Sequence, residues 1–129
     1  MTTTTQSPCI IHVTIELEEQ FLKDVLETAI NGSINYWANV RESSTDLYEL
    51  TAVYGPDDNG TDKDDFEPCA LSPAIIGLGI KKALERNHCA KQIWSQISNA
   101  VHYQDAGYID ADCADVIVQL AVLGEIVYG

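Results

Sequence analysis

The stretch Asn31-Gly32-Ser33-Ile34-Asn35-Tyr36-Trp37 divides a helical pattern from a strand pattern. Upstream, Phe21, Leu22, Val25, Leu26, Ala29 and Ile30 recur at helical spacing and make one apolar stripe. Gly32 stands where a helix C-cap calls for a residue that tolerates positive φ. Downstream, Ile34, Tyr36, Ala38 and Val40 alternate with Asn35, Trp37 and Asn39, the period of a strand. On that reading the two aromatics point to opposite faces of a sheet. A helix running into a sheet is the expected centre of the fold.

Working outward, residues 9–17 read as a strand, with Ile11, Val13, Ile15 and Leu17 on one face. A helix over 18–31 follows, its early Glu18 and Glu19 suited to the helix dipole. Strand 33–42, a turn at Ser43-Ser44-Thr45-Asp46 and strand 46–54 form an antiparallel hairpin. In the second strand Leu47, Glu49, Thr51 and Val53 alternate against Tyr48, Leu50, Ala52 and Tyr54. Residues 56–68 form an acidic loop. Ser72-Pro73 opens a helix over 72–86, an N-cap followed by proline at the first helical position. Asn87-His88 breaks the chain before a helix over 89–103. A last helix starts at Asp110 or Asp112 and ends at Gly124, and residues 125–128 finish as a short strand. The expected fold is α+β, with a small antiparallel sheet of three or four strands packed against three or four helices. Residues 1–8 read as a flexible N-terminus and 9–129 as a single domain.

At 129 residues and 46% apolar composition, the chain can bury a core without staples. Its net charge of -13 disfavours nonspecific contact with nucleic acid or anionic membrane. It fits three readings: solubility, adaptation to salt, or mimicry of nucleic acid. Cys9, Cys69, Cys89 and Cys113 show no metal-ligand spacing, so reduced, unlinked thiols are expected. A secretory signal and a membrane-length apolar run are both missing from the pattern, which fits a reducing cytoplasm. Asn31-Gly32-Ser33 and Asn59-Gly60-Thr61 read as turns rather than glycosylation sites.

Catalytic signatures are sparse. The chain has no G-x-S-x-G elbow, phosphate loop or dinucleotide fingerprint. His12, His88 and His102 read as surface or helix-end residues, and Asp112 and Asp115 as helix-start caps. The acids of residues 57–67 lack the glycine that a calcium loop needs, since Asp62 stands there. No metal or other cofactor is expected. The bases carry more information: four of the seven, Lys81, Lys82, Arg86 and Lys91, fall close together. They serve either as helix C-terminal charge or as an anion site, with Arg86 the bidentate donor. Arg41 is a second candidate donor, and Tyr36, Trp37 and Tyr54 are candidate stacking surfaces for a base. Trp37 reads equally as core.

Two stretches carry a resemblance. Residues 31–37 resemble the E-G-G-x-x-Y-W segment of small, uncharacterised proteins from tailed bacteriophages. Asp110-Ala111-Asp112-Cys113-Ala114-Asp115-Val116-Ile117-Val118-Gln119, with Gly124-Glu125-Ile126-Val127-Tyr128-Gly129, resembles their D-A-x-x-A-D-V-x-x-Q…F-G-E-V-V-Y-G ending. The chain departs from that pattern at Asn31, Ser33 and Leu123. The resemblance implies a phage accessory protein acting in the host bacterial cytoplasm, with no activity to carry over. The leading expectation is an anti-defence binding protein, a homo-oligomer that sequesters a small anionic nucleotide signal without catalysis. Its ligand residues would be Arg86, Arg41, Lys82, Tyr36, Trp37 and Tyr54. The alternative partner is a host defence protein such as a CRISPR or other nuclease complex, inhibited by nucleic-acid mimicry. A nucleotide-cleaving enzyme is the third reading. Direct binding to nucleic acid or membrane is not expected.

Overall fold

The computed structural model describes residues 9, 14–53, 67–85 and 89–129. The expected flexible N-terminus, most of the acidic loop and the Asn87-His88 break lie outside the described residues, as do Arg86 and Tyr54. Among those described, the order is helix α1 (Glu19–Thr28), strands β1 (Ala38–Ser44), β2 (Leu47–Val53) and β3 (Cys69–Leu71), then helices α2 (Pro73–Leu84), α3 (Lys91–Tyr103) and α4 (Ala111–Val122). The strands form one antiparallel sheet in the order β1-β2-β3. This is the small α+β fold that the patterning implies.

Local chemistry explains the elements. Phe21, Val25 and Leu26 give α1 its buried stripe. The helix then widens into a π-type turn, Ala29–Ser33, and stops at Gly32, whose φ is 116°. Gly32 N–H donates to Asn35 Oδ1 at 2.9 Å, and buried Ser33 donates its hydroxyl to Thr28 O at 2.9 Å. The left-handed break is therefore where the sequence places it.

Beyond the break the chain does not yet form a strand. Residues 34–37 make a tight turn in which Trp37 N–H and Ala38 N–H both donate to Ile34 O at 3.0 Å. Ile34 and Trp37 are buried and Tyr36 is exposed, so the spacing that matters is three, not two. The hairpin starts at Ala38 and turns through Thr45-Asp46, where Asp46 takes a φ of 58°. Aspartate tolerates that conformation better than most residues. A register shift opposite Asn39 and Val40 leaves Thr51 unpaired. This bulge brings Leu50 and Val53 to the same buried side, against the strict alternation of the sequence reading.

Two expected strands are absent among the described residues. Residues 14–18 carry none, and 10–13 lie outside the described residues. Residues 125–128 form no strand. The short β3, beside Leu50 of β2, has no signature in the sequence because three residues show no periodicity.

Helix α2 begins as expected: Ser72 Oγ accepts the Ile75 N–H, and Pro73 takes the first position. It packs chiefly on α4. At Gly79 the two backbones touch, and a Cβ there would lie 2.2 Å from Ile117 O. Leu50, Val53 and Leu71 of the sheet join Ile76, Ile80, Ile97, Ile117 and Leu120 in one core. No helix among the described residues is long and apolar enough to cross a membrane.

The two glycines predict different costs. A Cβ at Gly32 meets no atom within 4 Å, so Gly32→Ala is expected to cost only backbone strain, about 1–2 kcal/mol. Gly79→Ala must separate two helices and is expected to cost about 3 kcal/mol or more. Urea midpoints at constant m-value measure both, and equal losses would contradict the close α2–α4 crossing.

Candidate functional site

The turn after α1 and the C-terminal segment meet in space, at Asp115 and Gln119 of α4. Gln119 is fully buried in an otherwise apolar run, Val116-Ile117-Val118-Gln119-Leu120. A buried amide needs every donor and acceptor matched. Here Nε2 donates to Asp115 Oδ1 at 2.9 Å and to Tyr128 O at 3.2 Å. Oε1 accepts from Val127 N–H at 2.7 Å and Tyr128 N–H at 2.9 Å. The side chain thus offers the tail the donor and acceptor that a neighbouring strand would offer. That is why residues 125–128 look like a strand in sequence yet join no sheet.

Asp115 collects two further donors. Trp37 Nε1–H donates to Oδ1 at 2.8 Å, and the Tyr36 hydroxyl donates to Oδ2 at 2.5 Å. The Trp37 ring, 0% exposed, stacks on Tyr128 with centroids 5.0 Å apart and planes 9° apart. Tyr36 leaves its ring 54% exposed but tucks its hydroxyl against Gly129, where a Cβ would lie 2.9 Å from that oxygen. Partial burial, then the bond to Asp115, raises the Tyr36 phenol well above its usual pKa. The phenol stays protonated, as its role as donor requires.

These contacts place the expected ligand residues. Tyr36 and Trp37 come together, but their polar atoms and the Trp37 ring face are taken up inside the protein. Arg41 lies on β1 and pairs with Glu49, its cross-strand neighbour. Lys82 sits with Lys81 in the last turn of α2, where positive charge complements the helix dipole. The structure therefore gathers no group of cations around the two aromatics among the described residues. Arg86 and Tyr54 fall outside them.

Other chemistry is also limited. The four cysteines are unpaired. Burial, with Asp110 next, pushes the Cys113 thiol up to about 12, and burial also raises Cys69 and Cys89. None of these three is poised as a thiolate nucleophile. Among the described residues, no group of three or more His, Cys, Asp or Glu is placed to hold a metal ion. An open cleft of about 660 Å³, lined by Ile15, Leu17, Ile80, Leu84 and Val101, separates residues 14–17 from α2 and α3 and is mostly apolar.

The carboxylates are instead sorted by role. Asp105 caps the short helical turn Ala106–Tyr108 by accepting Gly107 N–H at 2.8 Å. Asp110 caps α4 by accepting Cys113 N–H at 2.8 Å. The sequence reading assigns that capping role to Asp112 and Asp115; in the structure Asp112 is exposed and Asp115 turns inward. Glu18, Glu19, Asp24 and Glu27 line the exposed side of α1, which packs beside the 106–108 turn and α4. Asp24 and Glu27 share a shallow surface depression with Ala111 at the start of α4. Lys23 is the one base of α1, and it is already paired with Glu19 at 3.2 Å and Asp46 at 3.4 Å.

No protein-family model, curated protein or solved structure matches the chain.

Two outcomes test this arrangement. Asp115→Ala leaves three donors without their acceptor and is expected to cost about 2–4 kcal/mol. In a Trp94→Phe background, where Trp37 is the sole indole, its emission should shift to the red as the tail loosens. Unchanged emission would mean that the tail is held by other means. The Asp110 carboxyl is held below the usual carboxylate range, chiefly by the Cys113 N–H. A depressed folded pKa stabilises the native state above the unfolded value and loses that contribution as pH falls. Asp110→Ala is therefore expected to lose about 1 kcal/mol at neutral pH and to flatten the stability decline below about pH 4. Thermal melts from pH 7 to 2.5 check both.

Proposed function

We propose that the protein is a phage accessory protein that works by stoichiometric binding, presenting an acidic surface to a basic groove on a host defence protein. One observation carries the reading: an exposed carboxylate face along α1 and the adjoining start of α4, in which the one base of α1 is already paired. At a net charge of -13, such a face attracts a basic partner over a Debye length and resembles a phosphate backbone in sign. Sequestering a nucleotide is less well supported. Tyr36 and Trp37 are engaged with Asp115, and Arg41 with Glu49. A nucleotide-cleaving activity has no nucleophile, base and orienting group brought together among the described residues.

A DNA duplex labelled with a fluorophore, bound to a basic nonspecific DNA-binding domain and followed by anisotropy, tests the reading. The protein is expected to release the duplex at near-equal stoichiometry, and less well as salt rises. Asp24→Lys with Glu27→Lys should weaken release about tenfold or more, whereas Glu67→Lys with Glu85→Lys should change it little. Calorimetry against cyclic and linear nucleotides should show no binding and no turnover. Tight nucleotide binding lost in Lys82→Ala or Arg41→Ala would restore the sequestration reading, and altered nucleotide would make the protein an enzyme.

A further inference from the structure

At the end of α3 two tyrosines are left outside the core. Tyr103 is 61% exposed and Tyr108 is 39% exposed. Their rings stack with centroids 5.7 Å apart and planes 18° apart. Scattered exposed apolar residues need no explanation, but a prearranged aromatic pair at a rigid corner is unusual.

The corner is fixed from several directions. Gln104 ends α3 in the left-handed conformation, with φ of 50°. Its Nε2 donates to Val101 O at 2.8 Å, and its Oε1 accepts the Glu18 N–H at 2.9 Å. Asp105 N–H donates to Ala100 O at 3.0 Å, and Tyr108 N–H donates to Asp105 O at 3.3 Å. His102 lies edge-on to Tyr103 at 4.6 Å. The pair is therefore held before any partner arrives, which lowers the ordering cost of binding.

We propose that the stacked Tyr103–Tyr108 pair is the anchor of the partner-binding surface and takes an arginine side chain from a basic protein partner; this rests on the acidic-binding reading above. The surrounding charge selects the occupant. Exposed Asp105 lies between the two tyrosines in sequence, and the Glu18–Gln104 bond brings the residues just before α1, with exposed Glu16 and Glu18, to the same corner. Lys91 stands at the far end of α3, about 18 Å away at 1.5 Å per residue. A guanidinium can lie flat on a tyrosine ring while its N–H groups reach a carboxylate; a lysine ammonium has no such planar face. A phosphate-bearing ligand would be repelled here. A second copy of the chain would set one acidic corner against another.

Short peptides of alternating arginine and glycine, and their lysine counterparts, are the probes, titrated at low salt into the full chain with amide and tyrosine NMR signals as readout. The arginine peptide is expected to bind about tenfold tighter than the lysine peptide and to shift signals across residues 102–108. Tyr103→Ala and Tyr108→Ala should abolish that preference with unchanged melting temperatures. Tyr103→Leu, which keeps apolar bulk, should abolish it too, and Tyr103→Phe, which keeps the ring, should retain it. Equal affinity for the two peptides, undiminished in the alanine variants, overturns the anchor while leaving the acidic surface as the binding element. Failure of both peptides to bind at low salt overturns the anchor and the acidic reading together. A dimer in light scattering that Tyr103→Ala dissolves assigns the pair to self-association and overturns the proposal.

Discussion

The fully matched amide of Gln119 ties together α4, the turn after α1 and the C-terminal tail. Four hydrogen bonds converge on it, and none can be returned to water without exposing the core. One of them fixes the Asp115 carboxylate, which in turn fixes the indole of Trp37 and the phenol of Tyr36. The other three fix the backbone of residues 127 and 128 and so seat the Tyr128 ring on Trp37. The turn after α1, the inner face of α4 and the tail are thus set by one side chain. Apolar packing alone is tolerant of small shifts, whereas a buried amide accepts one arrangement and penalises the rest.

That node explains which parts of the sequence are readable. The Gly32 break needs only local chemistry, and the Ser72-Pro73 start and the helical stripes follow periodicity, so all three are visible. The place of Trp37 is not, because Ile34, Tyr36 and Val40 imitate strand alternation while the chain is still turning. A turn with its own backbone bonds outweighs a two-residue period. The tail misleads for a related reason: Glu125-Ile126-Val127-Tyr128 has strand character, but its partner is a side chain from within a helix. The available signal is Gln119 itself, a lone amide inside an apolar helical run. Such a residue faces either a ligand or a polar knot, and sequence does not distinguish them. Among the described candidate ligand residues, Arg41 has a cross-strand glutamate and Lys82 serves a helix end, relations that depend on register and on where a helix stops.

Charge is handled by separation. With 20 acids and 7 bases, self-repulsion opposes compaction, and an uncompensated carboxylate inside would add to that cost. Asp115, the carboxylate turned toward Trp37 and Gln119, is met by three neutral donors. Asp105 and Asp110 are placed where backbone N–H groups are unmatched, at helical starts. Among the described residues, Glu18, Glu19, Asp24 and Glu27 along α1 and Asp112 on α4 bear outward, where salt and water screen them. Their arrangement owes little to stability and is available for recognition.

Recognition by charge alone would be fast but indiscriminate. A carboxylate face raises encounter rates with any basic protein, and every such contact is screened and long-ranged. Specificity requires short-range groups that are rigid and partly desolvated on contact, the role that tyrosine plays in interfaces. The Tyr103–Tyr108 stack meets that requirement at the edge of the acidic face, whereas Trp37 and Tyr36, the aromatics that stand out in the sequence, are committed to holding the fold. The two sets differ in their neighbouring carboxylates: Asp115 is saturated by Tyr36, Trp37 and Gln119, whereas Glu16 and Glu18 near the Tyr103–Tyr108 corner are exposed. The Tyr36 hydroxyl and the Trp37 N–H are spent on Asp115 and hold the fold. An aromatic pair beside exposed carboxylates can share an arginine with them, which turns diffuse attraction into a fixed orientation.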